Sequence, residues 1–369
     1  MLGTSATTDG SARRACRKTD AQQWLNKQVS DQVTGTWTDP ALSAVTFGAV
    51  AERWFATKAT RAPKTVAGYR SLLDTVILPR WAQVPLRDVL FVDLQAWVTS
   101  LSVNGSSRFE GKGLSASRVI QAHQVVSQVL KYAVRGKYLP SNPADSLELP
   151  RKPETEQRYL THEQLHRLAM AAGRFRTFIL VLGYCGLRFG EAAALRVRDV
   201  DLERGRIRVR RSVTHVTGQG LVEGPTKNHA ARAVPVLKRF LAPLLATEIE
   251  GRSADELVFP SRRGGYLTEG ELRWMFDPAA TAIGQQGLVP HELRHTCATM
   301  AIAAGANIKV LQKLMGHKTA TLTWDRYGHL YPDDLDAVAA AFDDAAETTA
   351  DDLRTVSDVR RQASGLRGL

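Results

Sequence analysis

Four prolines, Pro140, Pro143, Pro150 and Pro153, fall between Leu139 and Glu156 and divide the chain before any other feature does. Proline has no amide hydrogen and a fixed φ, so a run this dense admits neither helix nor strand and reads as an interdomain linker. Ahead of it, apolar residues recur at helical intervals. Phe47, Val50, Ala51, Trp54 and Phe55 form one face. Pro63 stands where a second helix starts, with Val66, Tyr69, Leu72, Leu73 and Val76 on its face. Leu90–Leu101 carries a third, with Trp97. Residues 104–113, rich in Gly and Ser, make a loop, and Ser115 caps a long fourth helix bearing Val119, Ala122, Val126, Leu130 and Ala133. The expectation is a compact four-helix domain.

After the linker the pattern is mixed. Thr161-His162-Glu163-Gln164 is a capping box that opens a helix. Arg206-Ile207-Arg208-Val209-Arg210 alternates strictly and predicts a strand whose arginines share a face, either as a solvated edge or as phosphate contacts. A strand pair is expected to bracket Pro225-Thr226-Lys227-Asn228 as a hairpin, with another short strand at Leu257–Pro260. From Thr268 the pattern is helical, broken at Gly287, Pro290, Gly305 and Gly316. The fold class predicted is multidomain: an all-α domain, then a mixed α+β, mainly helical domain with a small antiparallel sheet. The bounds are a tail at 1–45 with a short amphipathic helix within 19–33, helical domain 46–150, linker 151–157, mixed domain 158–346 and tail 347–369.

The formal net charge is +12, and a chain this basic usually meets a polyanion. Cys16, Cys185 and Cys297 are odd in number and widely spaced, which gives no disulfide framework and no metal knuckle and fits a reducing cytoplasm. No apolar run reaches the roughly 20 residues that span a bilayer, and the N-terminus has no apolar core of a secretion signal.

His291-Glu292-Leu293-Arg294-His295 spells H-E-x-x-H, which on a helix puts two histidines on one face and suits zinc, with Glu292 as general base. The pattern is short and recurs by chance. A catalytic zinc also needs a third ligand, for which His317 is a candidate, and nothing else in the chain suggests a hydrolase. The same segment reads differently as one member of an ordered set. That set is Gly186-Leu187-Arg188-Phe189-Gly190-Glu191, Thr226-Lys227-Asn228, His291-x-Leu293-Arg294-His295, Leu314-Met315-Gly316-His317-Lys318, and Tyr327. In identity, order and spacing it resembles the tyrosine recombinases, the integrase family of phages and their relatives. The resemblance runs from Arg158 to about Ala346, with weaker helical agreement over 46–150.

The resemblance implies an enzyme that cuts and rejoins DNA through a 3′-phosphotyrosine, without metal, ATP or any cofactor. Arg188 and Arg294 match the arginines that grip the scissile phosphate, a task for which planar, permanently charged guanidiniums are suited. Tyr327 matches the nucleophile, with Tyr331 as a weaker competitor. A free phenol titrates near 10, and nearby guanidiniums would lower that. His291 matches the general base. Lys227 matches the general acid for the leaving 5′-oxygen, with Lys318 as runner-up. His317 matches a phosphate hydrogen-bonder, Glu191 a buttress, and His295 a residue that packs and orients its helix. The helical domain resembles a SAM-like core-binding domain that closes with the catalytic domain as a clamp on DNA. Lys58, Arg61, Lys64, Arg70, Arg118, Lys131 and Arg135, with Arg208 and Arg210, are the candidate phosphate contacts.

The implied partners are double-stranded DNA at attachment or crossover sites, three further copies of the chain in a homotetramer, and accessory DNA-bending or directionality factors, with no membrane. Residues 333–342 are either a helix exchanged between protomers or one packed on its own domain. The N-terminus resembles the end of a degenerate or truncated arm-binding domain, which leaves binding to arm sites open. Beside a phage or mobile-element integrase stand four other readings: an Xer-like chromosome-resolution recombinase, a type IB topoisomerase, a non-catalytic DNA-binding protein on the same fold, and the zinc hydrolase.

Overall fold

The structure, a computed structural model, describes residues 26, 40–106, 111–153, 158–226, 231–331, 339–340 and 342–349. Expectations that fall elsewhere lie outside the described residues. These include the helix within 19–33, Lys227 and most of 333–342. The chain divides into two compact units, one of residues 1–155 with 215–220 and the other of residues 156–214 with 221–369.

Up to residue 153 the described part of the first unit is built of helices. Helix α1 (Phe47–Ala56) is capped by Thr46, whose hydroxyl accepts from the Ala49 amide, and buries Phe47, Val50, Ala51 and Trp54. Helix α2 (Pro63–Leu72) begins on its proline, widens into a π-helical turn at Leu73–Ile77 and continues as α3 (Leu78–Trp81). The wide turn lies just ahead of Pro79, whose ring would collide with a carbonyl one tight turn back. Helices α4 (Phe91–Asn104) and α5 (Ala116–Arg135) complete the unit, and the Ser115 hydroxyl accepts from the Arg118 amide as a cap does. One core joins them, with Trp81 edge-on to Trp97 at 6.0 Å.

The second unit is built around α7 (Arg176–Cys185), in which every residue from Thr177 to Gly183 is buried. Ahead of it lies α6 (His162–Ala171), opened by the expected capping box: the Gln164 amide donates to Thr161 Oγ1 at 3.1 Å, and the Thr161 amide to Gln164 Oε1 at 2.9 Å. After it come the short α8 (Phe189–Ala193) and two small antiparallel sheets. Strands β1 (Val200–Asp201), β2 (Arg206–Val209) and β5 (Arg232–Pro235) form one, in the order β1-β2-β5. Strands β3 (Arg211–Val216) and β4 (Gly220–Pro225) form the other. Ile207 and Val209 face the core while Arg206 and Arg208 face out, as the alternation requires.

Two strand expectations fail. The strands flanking Lys227 are β4 and β5, and they belong to different sheets, so they do not close the expected hairpin. Leu257–Pro260 makes isolated bridges to Arg196 and Tyr266 and no strand. The rest is helical: α9 (Leu241–Ile249), α10 (Glu269–Ala282), α11 (Glu292–Ala303), α12 (Ile308–Met315) and α13 (Ala320–Tyr327). Helices α6, α9 and α11 all pack on α7. Among the described residues no helix is long and apolar enough to cross a membrane.

Candidate active site

Helix α7 ends at Gly186, whose φ of +63° is left-handed. A Cβ there would lie 2.6 Å from Met315 Cε and 3.0 Å from Cys297 Sγ, so both the backbone conformation and the close packing favour glycine. The tight exit delivers Arg188 to the N-terminus of α8. Its Nη1 donates to Glu191 Oε1 at 2.8 Å, and its amide to Glu191 Oε2 at 2.9 Å. Arg294 projects from α11 and is 3% exposed. Its two terminal nitrogens donate to the carbonyls of Gly186 and Met315, which fixes the plane of the guanidinium.

Glu191 is 2% exposed and receives a second arginine, Arg232 of β5, whose Nη1 and Nη2 donate to its two oxygens at 3.0 and 2.7 Å. Burial pushes this carboxyl up, but the hydrogen bonds and charge of Arg232, and then those of Arg188, outweigh burial and hold it at about 2. Burial and the neighbouring charge of Arg188 press Arg294 down to about 10, which leaves it cationic at neutral pH. Three guanidiniums thus gather around one carboxylate, an excess of two positive charges (3 − 1 = 2) in a largely buried site. Arg232 lies outside the ordered set of motifs in the sequence. Its one sequence signal is an arginine before the apolar run Ala233-Val234.

Helix α12 ends at Gly316, again left-handed at φ +60°, and the turn brings in His317. His317 Nδ1 lies 2.9 Å from Thr323 Oγ1, and its ring stacks parallel to that of Tyr327 at 6.4 Å. Tyr327, the last residue of α13, is 1% exposed and packs with Cys297, Ala298, Leu311 and Met315. Its hydroxyl is 2.7 Å from His295 Nδ1. Burial drives His295 and His317 down to about 4, helped at His295 by His291 and at His317 by Arg294, so both rings are neutral at pH 7.

The phenol is the reverse of the expected case. Burial raises it to about 12 and outweighs the pull of Arg294 and Arg326, so the guanidiniums do not lower it in this state. The imidazole within hydrogen-bonding reach of the phenol is that of His295. The His291 ring stands edge-on to His295 at 5.2 Å.

The structure therefore brings Arg188, Glu191, Arg294, His295, His317 and Tyr327 together, with His291 beside them. Tyr331 points elsewhere, donating to the Ala306 carbonyl at 3.0 Å, and Lys318 is exposed. Glu292 Oε2 accepts from the Val289 amide at the start of its own helix. Among the described residues no group of three or more His, Cys, Asp or Glu is arranged to hold a metal ion.

The candidate DNA contacts are scattered. Arg61, Lys64 and Arg135 are exposed. Lys58 lies over the Trp54 ring at 4.9 Å, Arg118 donates to Ser71 Oγ, and exposed Lys131 lies 3.9 Å from Asp145. Arg70 is held by both Asp74 and Glu52, so its charge is met by two carboxylates within the chain. Arg208 pairs with Asp201 at 3.4 Å, and exposed Arg210 lies just past the end of β2.

Residues 158–333 match the phage integrase family. Over 324 residues the chain is 27% identical to a prophage phiRv2 integrase of Mycobacterium tuberculosis, covering 85% of this chain and 83% of the relative. It is 28% identical over 273 residues to the tyrosine recombinase XerD of Haemophilus influenzae, covering 70% and 85%. Among solved structures it resembles the Tn1549 transposon integrase in complex with a circular intermediate DNA, with a TM-score of 0.68, 20% identity, and 81% and 99% coverage. It also resembles a lambda integrase dimer bound to a core site, with a TM-score of 0.55, 19% identity, and 76% and 95% coverage.

Proposed function

The chain belongs to the tyrosine recombinases of the phage integrase family, and from that premise we propose that it is a site-specific DNA recombinase of a phage or other mobile element, with Tyr327 as its nucleophile. The observation that carries this reading is the pair of surplus positive charges around Arg188, Arg232 and Arg294, one residue stack away from a phenol. A phosphodiester brings one negative charge, and the pentacoordinate state formed by attack carries more. Fixed guanidiniums meet that charge without rearranging, and they supply what a metal ion supplies to other phosphoryl-transfer enzymes.

The residues divide the work as follows. Arg188 and Arg294 hold the non-bridging oxygens, and the neutral His317 adds a hydrogen bond. Tyr327 Oη attacks phosphorus, the bond to the 5′-oxygen breaks, and a 3′-phosphotyrosine forms. His291 takes the phenol's proton, and Lys227 supplies one to the departing 5′-oxygen. The phosphotyrosine keeps the energy of the broken bond, so a 5′-hydroxyl from another strand reverses the step without ATP. In the state described here Tyr327 is buried against His295, so DNA binding has to draw it out before attack. Residues 46–150 act as the core-binding domain and 158–346 as the catalytic domain. The working assembly is a homotetramer on two duplexes, assisted by accessory DNA-bending or directionality factors.

Nicked suicide duplexes carrying candidate attachment sequences, incubated in EDTA with wild type and Tyr327→Phe, test the proposal on denaturing gels. A covalent protein–DNA adduct from the wild type alone is the expected result. An adduct from both moves the nucleophile elsewhere, Tyr331 first. Specific binding to a duplex with no adduct from either favours a DNA-binding protein on the same fold. Adduct formation on a chromosomal dimer-resolution sequence in place of element ends would favour an Xer-like role.

A further inference from the structure

Arg232 stands outside every motif of the site, yet three of its nitrogens are committed there. Besides the two-point ion pair with Glu191, its Nε donates to the Leu314 carbonyl at 3.2 Å. The side chain is 10% exposed and lies against Gly316, where an added Cβ would be 2.9 Å from Arg232 Cδ. One residue of β5 therefore grips two separate elements. Through Glu191 it reaches the N-terminus of α8, which carries Arg188. Through Leu314 and Gly316 it reaches the end of α12, which carries His317. Only an arginine has the planar fork and the third N–H for all three contacts.

We propose that Arg232 is a positioning residue for the phosphate cradle, one that sets the distance between Arg188 and His317 without touching the phosphate itself. Glu191 is the rigid link on one side: it stays charged because two cations share it, and it orients Arg188 only while it stays charged. The Leu314 carbonyl is the link on the other side. Arg232 also follows Lys227 by five residues (232 − 227) and pins the strand that resumes after it. This inference rests on the recombinase reading for its catalytic consequence, but its structural half stands apart from it.

The test compares wild type, Arg232→Met and Arg232→Lys on two readouts, with melting temperatures measured for each. The first is the adduct rate on nicked duplex as a function of DNA concentration and pH. Arg232→Met is expected to lower the rate at saturating DNA on the order of 10²-fold, the scale of an ångström-level misplacement, while the half-saturating concentration stays the same. Glu191 faces Arg188 from its own element, Arg232 from β5 and Arg294 from α11. With Arg232 gone Glu191 keeps its proton to higher pH, so the acid limb of the rate profile moves up. Arg232→Lys restores the limb and part of the rate.

The second readout is hydrogen–deuterium exchange without DNA. Arg232→Met is expected to speed exchange in peptides spanning 186–193 and 311–320 and to leave those of 46–150 unchanged. Unchanged exchange in both peptides overturns the proposal. So does a rate loss that is uniform across pH, tracks melting temperature and is not relieved by lysine. If wild type forms no adduct on any duplex, the recombinase reading fails, and the exchange experiment alone decides whether Arg232 positions these segments.

Discussion

Replacing His295 with alanine should release Tyr327 from its buried seat. The phenol is 1% exposed, its hydroxyl is 2.7 Å from His295 Nδ1, and its pKa is pushed up to about 12. Removing the imidazole leaves a buried hydroxyl without that partner, which costs the docked state about 1–3 kcal/mol. If the undocked state loses nothing, its population rises by that amount, or about 5- to 150-fold at 1.4 kcal/mol per decade.

Tetranitromethane reads the difference, because it nitrates a phenol only when the ring is accessible and can ionise. Tyr327 and Tyr331 fall in one tryptic peptide, and fragment ions separate them, so half-buried Tyr331 is an internal reference. In wild type Tyr327 should nitrate more slowly than Tyr331. In His295→Ala the ratio of the two rates should rise by the factor above, with Tyr331 unchanged. Equal ratios in the two proteins would refute the claim that His295 holds the phenol in place. A rise in both tyrosines together would mean general loosening of the end of α13 and would refute it equally.

Two further outcomes follow from the carboxylate and the turn. Glu191→Gln leaves the partly buried guanidiniums of Arg188 and Arg232 without their nearly fully buried anion and should lower unfolding free energy by about 3–5 kcal/mol in urea titrations. In wild type the Glu191 carboxyl is held at about 2 against an ordinary 4.5, so its share of stability is present above pH 4.5 and is lost as pH falls toward 2. That share is about 3 kcal/mol at neutral pH, and acid titration of Glu191→Gln should lack this component. Gly316→Ala places a Cβ against Arg232 at a left-handed φ and should cost about 1–3 kcal/mol in the same assay, while Gly218→Ala, equally left-handed but with open space around it, should cost less.

Local chemistry made much of this legible. The helices of the first unit follow from the 3.6-residue recurrence of Phe47, Val50, Ala51 and Trp54 and from caps at Thr46 and Ser115, all of which act over one turn. The Thr161–Gln164 box and the alternation of 206–209 are equally local. Strand partners are not local: alternation marks β5 as extended but does not say that it joins β2 and leaves β4 to β3. The Leu257–Pro260 stretch has residues that suit a strand, but its pairing with Arg196 and with Tyr266 stops at one isolated bridge each. Most of the site was readable because its members sit in short, ordered motifs. Arg232 was not, since a lone arginine before two apolar residues has no local mark, and its meaning comes from Glu191 and Leu314, 41 and 82 positions away. The raised pKa of Tyr327 is hidden from the sequence for a related reason: charge can be counted in a sequence, whereas burial against Leu311 and Met315 cannot.

The seating of Tyr327 among Cys297, Ala298, Leu311 and Met315 makes its ring a piece of the hydrophobic core. On the proposed role of Tyr327, bringing that ring to a phosphate means unpacking it first, and breaking its packing contacts absorbs heat. Strand cleavage should then inherit part of the enthalpy of a local melting step. The rate would rise more steeply with temperature than phosphoryl chemistry alone requires, and a cool, DNA-free molecule would be held in reserve by its own packing.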